Sequence, residues 1–134
     1  MKIKLFKTTL IILTMVISLA STTGCKPKAV QLTDVDNNKD ITLDAGDQLI
    51  ITLPGNPTTG YNWEVKSVDA AILGVVGEPQ FVSDNTNLVG AGGQLSLTFK
   101  ALKAGSTTLE LVYHRPWETD VAPLQTFTIQ VTVK

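Results

Sequence analysis

The chain has 134 residues, with 11 basic and 12 acidic side chains, one histidine, one cysteine and a formal charge of −1. A near-neutral balance supplies no electrostatic footprint for nucleic acid, and a lone cysteine excludes an internal disulfide.

Residues 1–24 read as an export signal. Lys2, Lys4 and Lys7 form a positive start, and an apolar run from Leu10 to Ala20 follows, interrupted only by Thr14 and Ser18. That run is shorter than the roughly 20 residues that span a bilayer, and small residues lead from it to Cys25. Ser21-Thr22-Thr23-Gly24-Cys25 resembles a bacterial lipoprotein box, departing from it at Thr22, where leucine is commoner. The alternative is an ordinary cleaved signal that ends near a cysteine. The lipoprotein reading is preferred because an exposed free thiol in an exported protein asks for an explanation. It makes Cys25 the lipid-bearing residue, 25–30 an anchor and tether, and 31–134 the folded domain, held at a membrane of the bacterial cell envelope. Taking 24 residues from 134 leaves 110, enough for one domain with a single core. Removing Lys2, Lys4 and Lys7 leaves eight basic against 12 acidic residues, a charge of −4.

The mature chain is written in a period of two. Gln31 to Asp34 and Ile41 to Leu43 predict short edge strands. In Asp47 to Leu53, the side chains of Leu49, Ile51 and Leu53 share a face; in the next run Tyr61, Trp63 and Val65 do so. Ile72 to Val76 and Gln80 to Ser83 predict two weaker strands, broken by Gly77 and Pro79. Leu95, Leu97 and Phe99 alternate with polar residues, as do Leu109, Leu111 and Tyr113, and then Phe127, Ile129, Val131 and Val133. Turn signals such as Asp44-Ala45-Gly46 and Lys103-Ala104-Gly105 separate these runs, and no helical period is evident after the signal. The pattern predicts an all-β, immunoglobulin-like antiparallel β-sandwich.

Three loops carry unusual chemistry. In the first, Asn56 to Tyr61, Pro57 fixes its own φ and biases Asn56 towards an extended backbone. Thr58 and Thr59 are stiff at χ1, and Gly60 can take a positive φ. A pre-shaped loop of this kind loses little entropy on docking, although the same residues also suit an ordinary hairpin turn. The second loop, Leu88 to Gly93, has three glycines among Gly90, Ala91, Gly92 and Gly93. They allow close backbone approach at an entropic cost; a flexible hairpin without function reads equally well. No Gly-Lys-Ser/Thr ending marks a phosphate loop. The third, His114-Arg115-Pro116-Trp117-Glu118, strands a tryptophan among polar residues, either folded back over the core or held out for a partner. Trp and Arg are the types most enriched among binding hot spots.

Together, Asn56-Pro57-Thr58-Thr59-Gly60-Tyr61, Gly90-Ala91-Gly92-Gly93 and Arg115-Pro116-Trp117 closely resemble the motifs of the chagasin-like family of cysteine peptidase inhibitors. The resemblance extends to Leu53-Pro54 before the first motif and Trp63 after it, and it covers the mature domain. It implies a sandwich that displays the three loops side by side and blocks papain-like cysteine peptidases. Thr58 and Thr59 would then lie over the catalytic cysteine, with Pro57 and Gly60 holding the loop's shape. Gly90, Gly92 and Gly93 would meet one wall of the cleft by backbone contact, and Arg115 and Trp117 the other. The inhibition would be tight, reversible and steric, by a monomer, with no cofactor, no metal and no covalent step.

Enzymatic readings lack a catalytic set. His114 is the single histidine and reads as a residue beside a binding loop without obvious partners. With Cys25 at the anchor, no cysteine–histidine pair and no histidine-rich metal site can be assembled. No Gly-x-Ser-x-Gly elbow is present to support a serine triad. Asp34, Asp36, Asn37, Asn38 and Asp40 cluster without the glycine and glutamate of an EF-hand, and read as a solvated turn. The alternative from another class is a non-inhibitory binding or adhesion module on the same sandwich.

Overall fold

Alternation of apolar and polar side chains becomes eight strands among the described residues, which in the computed structural model are Gly24 and residues 26–134. The export signal and Cys25 lie outside them. The strands are β1 (Ala29–Thr33), β2 (Asp40–Leu43), β3 (Gln48–Gly55), β4 (Asn62–Ser67), β5 (Leu73–Ser83), β6 (Gly93–Ala101), β7 (Gly105–His114) and β8 (Gln125–Val133). They form two four-stranded sheets, ordered β1-β3-β6-β5 and β2-β8-β7-β4.

The core lies between the sheets and is made by their inward faces. Leu49, Ile51 and Leu53 of β3 stand opposite Phe99, Leu97 and Leu95 of β6, all of them buried. On the facing sheet Leu109 and Leu111 pair with Ile129 and Phe127, and Trp63 with Tyr113. Cross-strand pairs of this kind, each side chain contributing about 1.5–3 kcal/mol when fully buried, give the sandwich its register.

The expected antiparallel sandwich is present, with one refinement in each sheet. The edge strands β1 and β2 join in parallel, β1 to β3 and β2 to β8. A second difference concerns residues 72–83, where two weak strands were expected and one long edge strand, β5, is found. β5 advances four positions, from Val76 to Gln80, while β6 moves only two, from Thr98 to Ser96. This bulge absorbs Gly77 and Pro79, the residues that read as a break. A third difference lies at the start. Ala29 and Val30 belong to β1, inside the segment read as tether, because the Lys28 N–H donates to Asp47 Oδ1 at 3.1 Å and the Lys28 carbonyl accepts from Gln48 N at 2.9 Å.

The polar cluster at 34–40 is a turn, as expected. Asp34–Asp36 form a short 3₁₀ segment in which Asp36 accepts from Thr33 N at 2.9 Å and pairs with Lys39 at 2.8 Å. Among the described residues no group of three or more potential metal-ligating side chains is found.

Candidate functional site

Chain direction brings the three loops to one end. β3, β5 and β7 all run towards it, and register places Gly55, Gly93 and Ser83 in one row across the first sheet. In the second sheet Asn62 stands opposite His114, and Tyr113 opposite Gln125. The Asn56–Tyr61 loop crosses from one sheet to the other. The second loop caps the β5–β6 hairpin, and the third caps the β7–β8 hairpin. The first therefore sits between the other two.

The central loop is a 3₁₀ turn, Pro57–Thr59, wound by its own side chains. Asn56 caps it in an extended conformation (φ −144°, ψ 90°), and its Oδ1 accepts from Thr58 N at 3.2 Å and from the Thr58 hydroxyl. Pro57 at the first position suits the turn because its missing N–H would have no partner there. The Thr59 hydroxyl donates to the Asn56 carbonyl at 2.6 Å. Gly60 closes the turn at φ +84°, its N–H donating to the Pro57 carbonyl at 2.9 Å. Thr58 and Thr59 are exposed at the tip.

Beneath the turn is a small aromatic stack. Tyr113 lies between Tyr61 and Trp63, with ring centroids 5.4 and 5.2 Å away. Its hydroxyl accepts the Asn56 N–H at 2.9 Å, and the Trp63 indole donates to the Pro54 carbonyl at 3.0 Å. The buried polar tips thus fasten the entry to the loop, at Pro54 and Asn56, to the sandwich. Sequence reasoning missed Tyr113 as a site residue. The signal was a tyrosine on the inward face at the end of a buried strand, whose hydroxyl requires a partner.

Cross-loop bonds join the three loops. Asn56 Nδ2 donates to the Gly90 carbonyl at 3.0 Å, linking the first loop to the second. Arg115 Nε donates to the Thr59 carbonyl at 3.1 Å, linking it to the third, while the guanidinium lies 4.5 Å above the Tyr61 ring centre. Arg115 also pairs with Glu118 at 3.2 Å. Its guanidinium is therefore turned onto the central loop. Trp117 is 67% exposed, with its ring edge laid against Gly60. Trp117 is not folded back over the core: it stands out to solvent and rests on the neighbouring loop.

The remaining site residues divide by burial. Gly90 is exposed at φ +81°, and Ala91 and Gly92 are half-buried. Gly93 is buried inside the sheet, where a side chain would collide with the Val82 carbonyl, so this glycine serves strand packing. Pro116 is exposed beside Trp117. His114 has a partner that was not expected. Its Nε2 lies 2.8 Å from Glu64 Oε2, because Asn62↔His114 pairing places Glu64 two residues further along the adjoining strand.

Comparison with known proteins agrees with this fold. Residues 42–131 match a family model described as chagasin family peptidase inhibitor I42. Amoebiasin-1 of Entamoeba histolytica is 36% identical over 107 residues, which cover 78% of this chain and 100% of that protein. Chagasin of Trypanosoma cruzi is 29% identical over 104 residues, 74% of this chain and 93% of its own. Among solved structures, the cysteine protease inhibitor EhICP2 from Entamoeba histolytica superposes with a TM-score of 0.72 at 27% identity, covering 83% of this chain and 100% of that one. The family is one of inhibitors, not of enzymes. With the match running from β2 to β8 and taking in all three loops, the chain belongs to the chagasin family of cysteine peptidase inhibitors.

Proposed function

We propose that this protein is a reversible, tight-binding inhibitor of papain-like cysteine peptidases, and that the Pro57–Thr59 turn enters the active-site cleft while the flanking loops grip its walls. The observation that carries this reading is the pair of cross-loop hydrogen bonds, Asn56 to Gly90 and Arg115 to Thr59, that hold three exposed loops as one surface. A surface already ordered before binding loses little conformational entropy on docking. The exposed tip offers Thr58 and Thr59 hydroxyls and a tightly wound backbone. A peptidase cleft accepts extended backbone, and a 3₁₀ turn presents no scissile bond in that shape, so the cleft is filled without being supplied with a substrate. Inhibition is steric, by a monomer, with no covalent step. An interface of ordinary size buries roughly 1,600 Å² in total.

The envelope location rests on the sequence around Cys25: lipidation there holds the inhibitor at a membrane, with only Lys26, Pro27 and Lys28 between the lipid and β1. Mass spectrometry of the N-terminal peptide, with Cys25→Ser as control, tests the anchor.

The inhibitory reading is tested by titrating papain with residues 26–134, which hold all the strands described above; the 107 residues matched to amoebiasin-1 cover 100% of that protein. A serine peptidase serves as control. Tight, reversible loss of papain activity alone is expected. A folded domain that leaves papain fully active at micromolar concentration would return the protein to the binding-module class.

A further inference from the structure

Beside the central loop, on the flank where β4 and β5 are both edge strands, the sandwich is open. A cavity of about 350 Å³ lies there, with Trp63 and Phe81 among its apolar lining, Pro57 and Pro79 on its sides, and Asn62 and Glu64 among its polar groups. It lies beside the β5 bulge, where Gly77 to Pro79 leave the regular ladder and Pro79 joins the lining. Phe81 is left 37% exposed, and the Glu64 side chain 48% exposed.

We propose that this groove is a second contact site for the inhibited peptidase and receives a basic side chain, arginine or lysine, from the rim of the peptidase cleft. The proposal rests on the inhibitory reading above. Continuity with the loop surface argues for the peptidase as occupant. Pro57 is both the first residue of the inserted turn and a wall of the groove, so an enzyme seated on the turn lies over the groove's mouth. The chemistry argues for a basic side chain. A long aliphatic stem suits the apolar lining, and a cationic head suits Glu64. Glu64 Oε2 is engaged by His114, whereas Oε1 has no hydrogen-bond partner among the described residues. A guanidinium can also lie flat on the Phe81 ring.

The test measures inhibition of papain by residues 26–134 in four forms: unaltered, Phe81→Ala, Glu64→Gln and His114→Asn, each checked for folding by thermal melting. Phe81→Ala and Glu64→Gln are each expected to raise the inhibition constant about tenfold, and Glu64→Gln to flatten its dependence on salt. His114→Asn is expected to change it less than about threefold, which separates the groove from a loss transmitted through His114. Inhibition constants unchanged in both groove variants would overturn the proposal while leaving the inhibitory reading intact. A loss in Phe81→Ala with the same salt slope in Glu64→Gln would overturn the basic occupant in favour of an apolar one. A dimer that Phe81→Ala dissociates would overturn it by placing a second copy in the groove. Failure of the unaltered domain to inhibit papain would remove the reading on which the proposal rests.

Discussion

Gly60 meets two constraints at a single position. Its φ of +84° is one that side-chain-bearing residues adopt at a cost of about 1–2 kcal/mol, and a Cβ there would collide with the Trp117 ring. Gly60→Ala should therefore lower the melting temperature by a few degrees and weaken inhibition, because Trp117 must leave its place; calorimetry and titration against papain check both. Trp117→Ala behaves differently. With the ring 67% exposed, truncation should leave the melting temperature within about two degrees and raise the dissociation rate; a large fall in melting temperature would make Trp117 a structural residue. Thr59→Asp places a charge in a closed interface and should weaken inhibition about 100-fold. Thr59→Ser, which keeps the hydroxyl bonded to the Asn56 carbonyl, should bind nearly as the parent does. At this scale the sequence was informative about backbone and silent about partners. Pro57 and Gly60 announce a tight turn through their own φ restrictions. The pairing of Arg115 with Thr59, or of His114 with Glu64, depends on strands more than 40 residues apart meeting in register, and no local pattern encodes that.

Among the elements, β1 depends on one carboxylate. Asp47 is 3% exposed, and its two oxygens accept the N–H groups of Lys28 at 3.1 Å and Asp44 at 3.0 Å. These bonds, the Lys28 one foremost, hold its carboxyl below the usual carboxylate range. A carboxyl whose pKa is lower folded than unfolded stabilises the fold above the unfolded value, near pH 4, and that contribution is lost as pH falls through the folded value. Asp47→Asn can accept from one donor but turns an amide N–H towards the other. The melting temperature of Asp47→Asn should thus fall well below that of the parent at pH 7, and the gap should narrow as pH drops below about 4. Strand positions and inward faces were legible because period two records burial directly, as Leu49, Ile51 and Leu53 show. Strand direction was not: β1 and β2 carry the same alternation whether they join parallel or antiparallel. The unity of β5 was hidden for the opposite reason, since Gly77 and Pro79 look like a terminus until β6 is seen to carry the strand through its bulge.

The whole molecule has two distinct poles. The three loops occupy one. At the other, Ala29 stands beside Gln48, the first residue of β3, and the Lys134 carbonyl accepts the Ala45 N–H at 3.0 Å, so β1 starts and β8 finishes near the Asp44–Gly46 turn. Attachment through the N-terminus consequently leaves the loops facing away from whatever holds the chain, and a domain immobilised through Lys26 should inhibit papain with an unaltered constant. The parallel pairing of β1 with β3 then acquires a mechanical meaning. A peptidase dragged away while held on the loops pulls β3 from its far end, while the attachment pulls β1 from its near end. Along parallel strands those forces slide one past the other, loading the register from Ala29↔Gln48 to Thr33↔Thr52 all at once, where an antiparallel edge pulled in the same way would peel one bond at a time. If the chain is anchored at Cys25 as proposed, the edge strand nearest that anchor is oriented to bear tension.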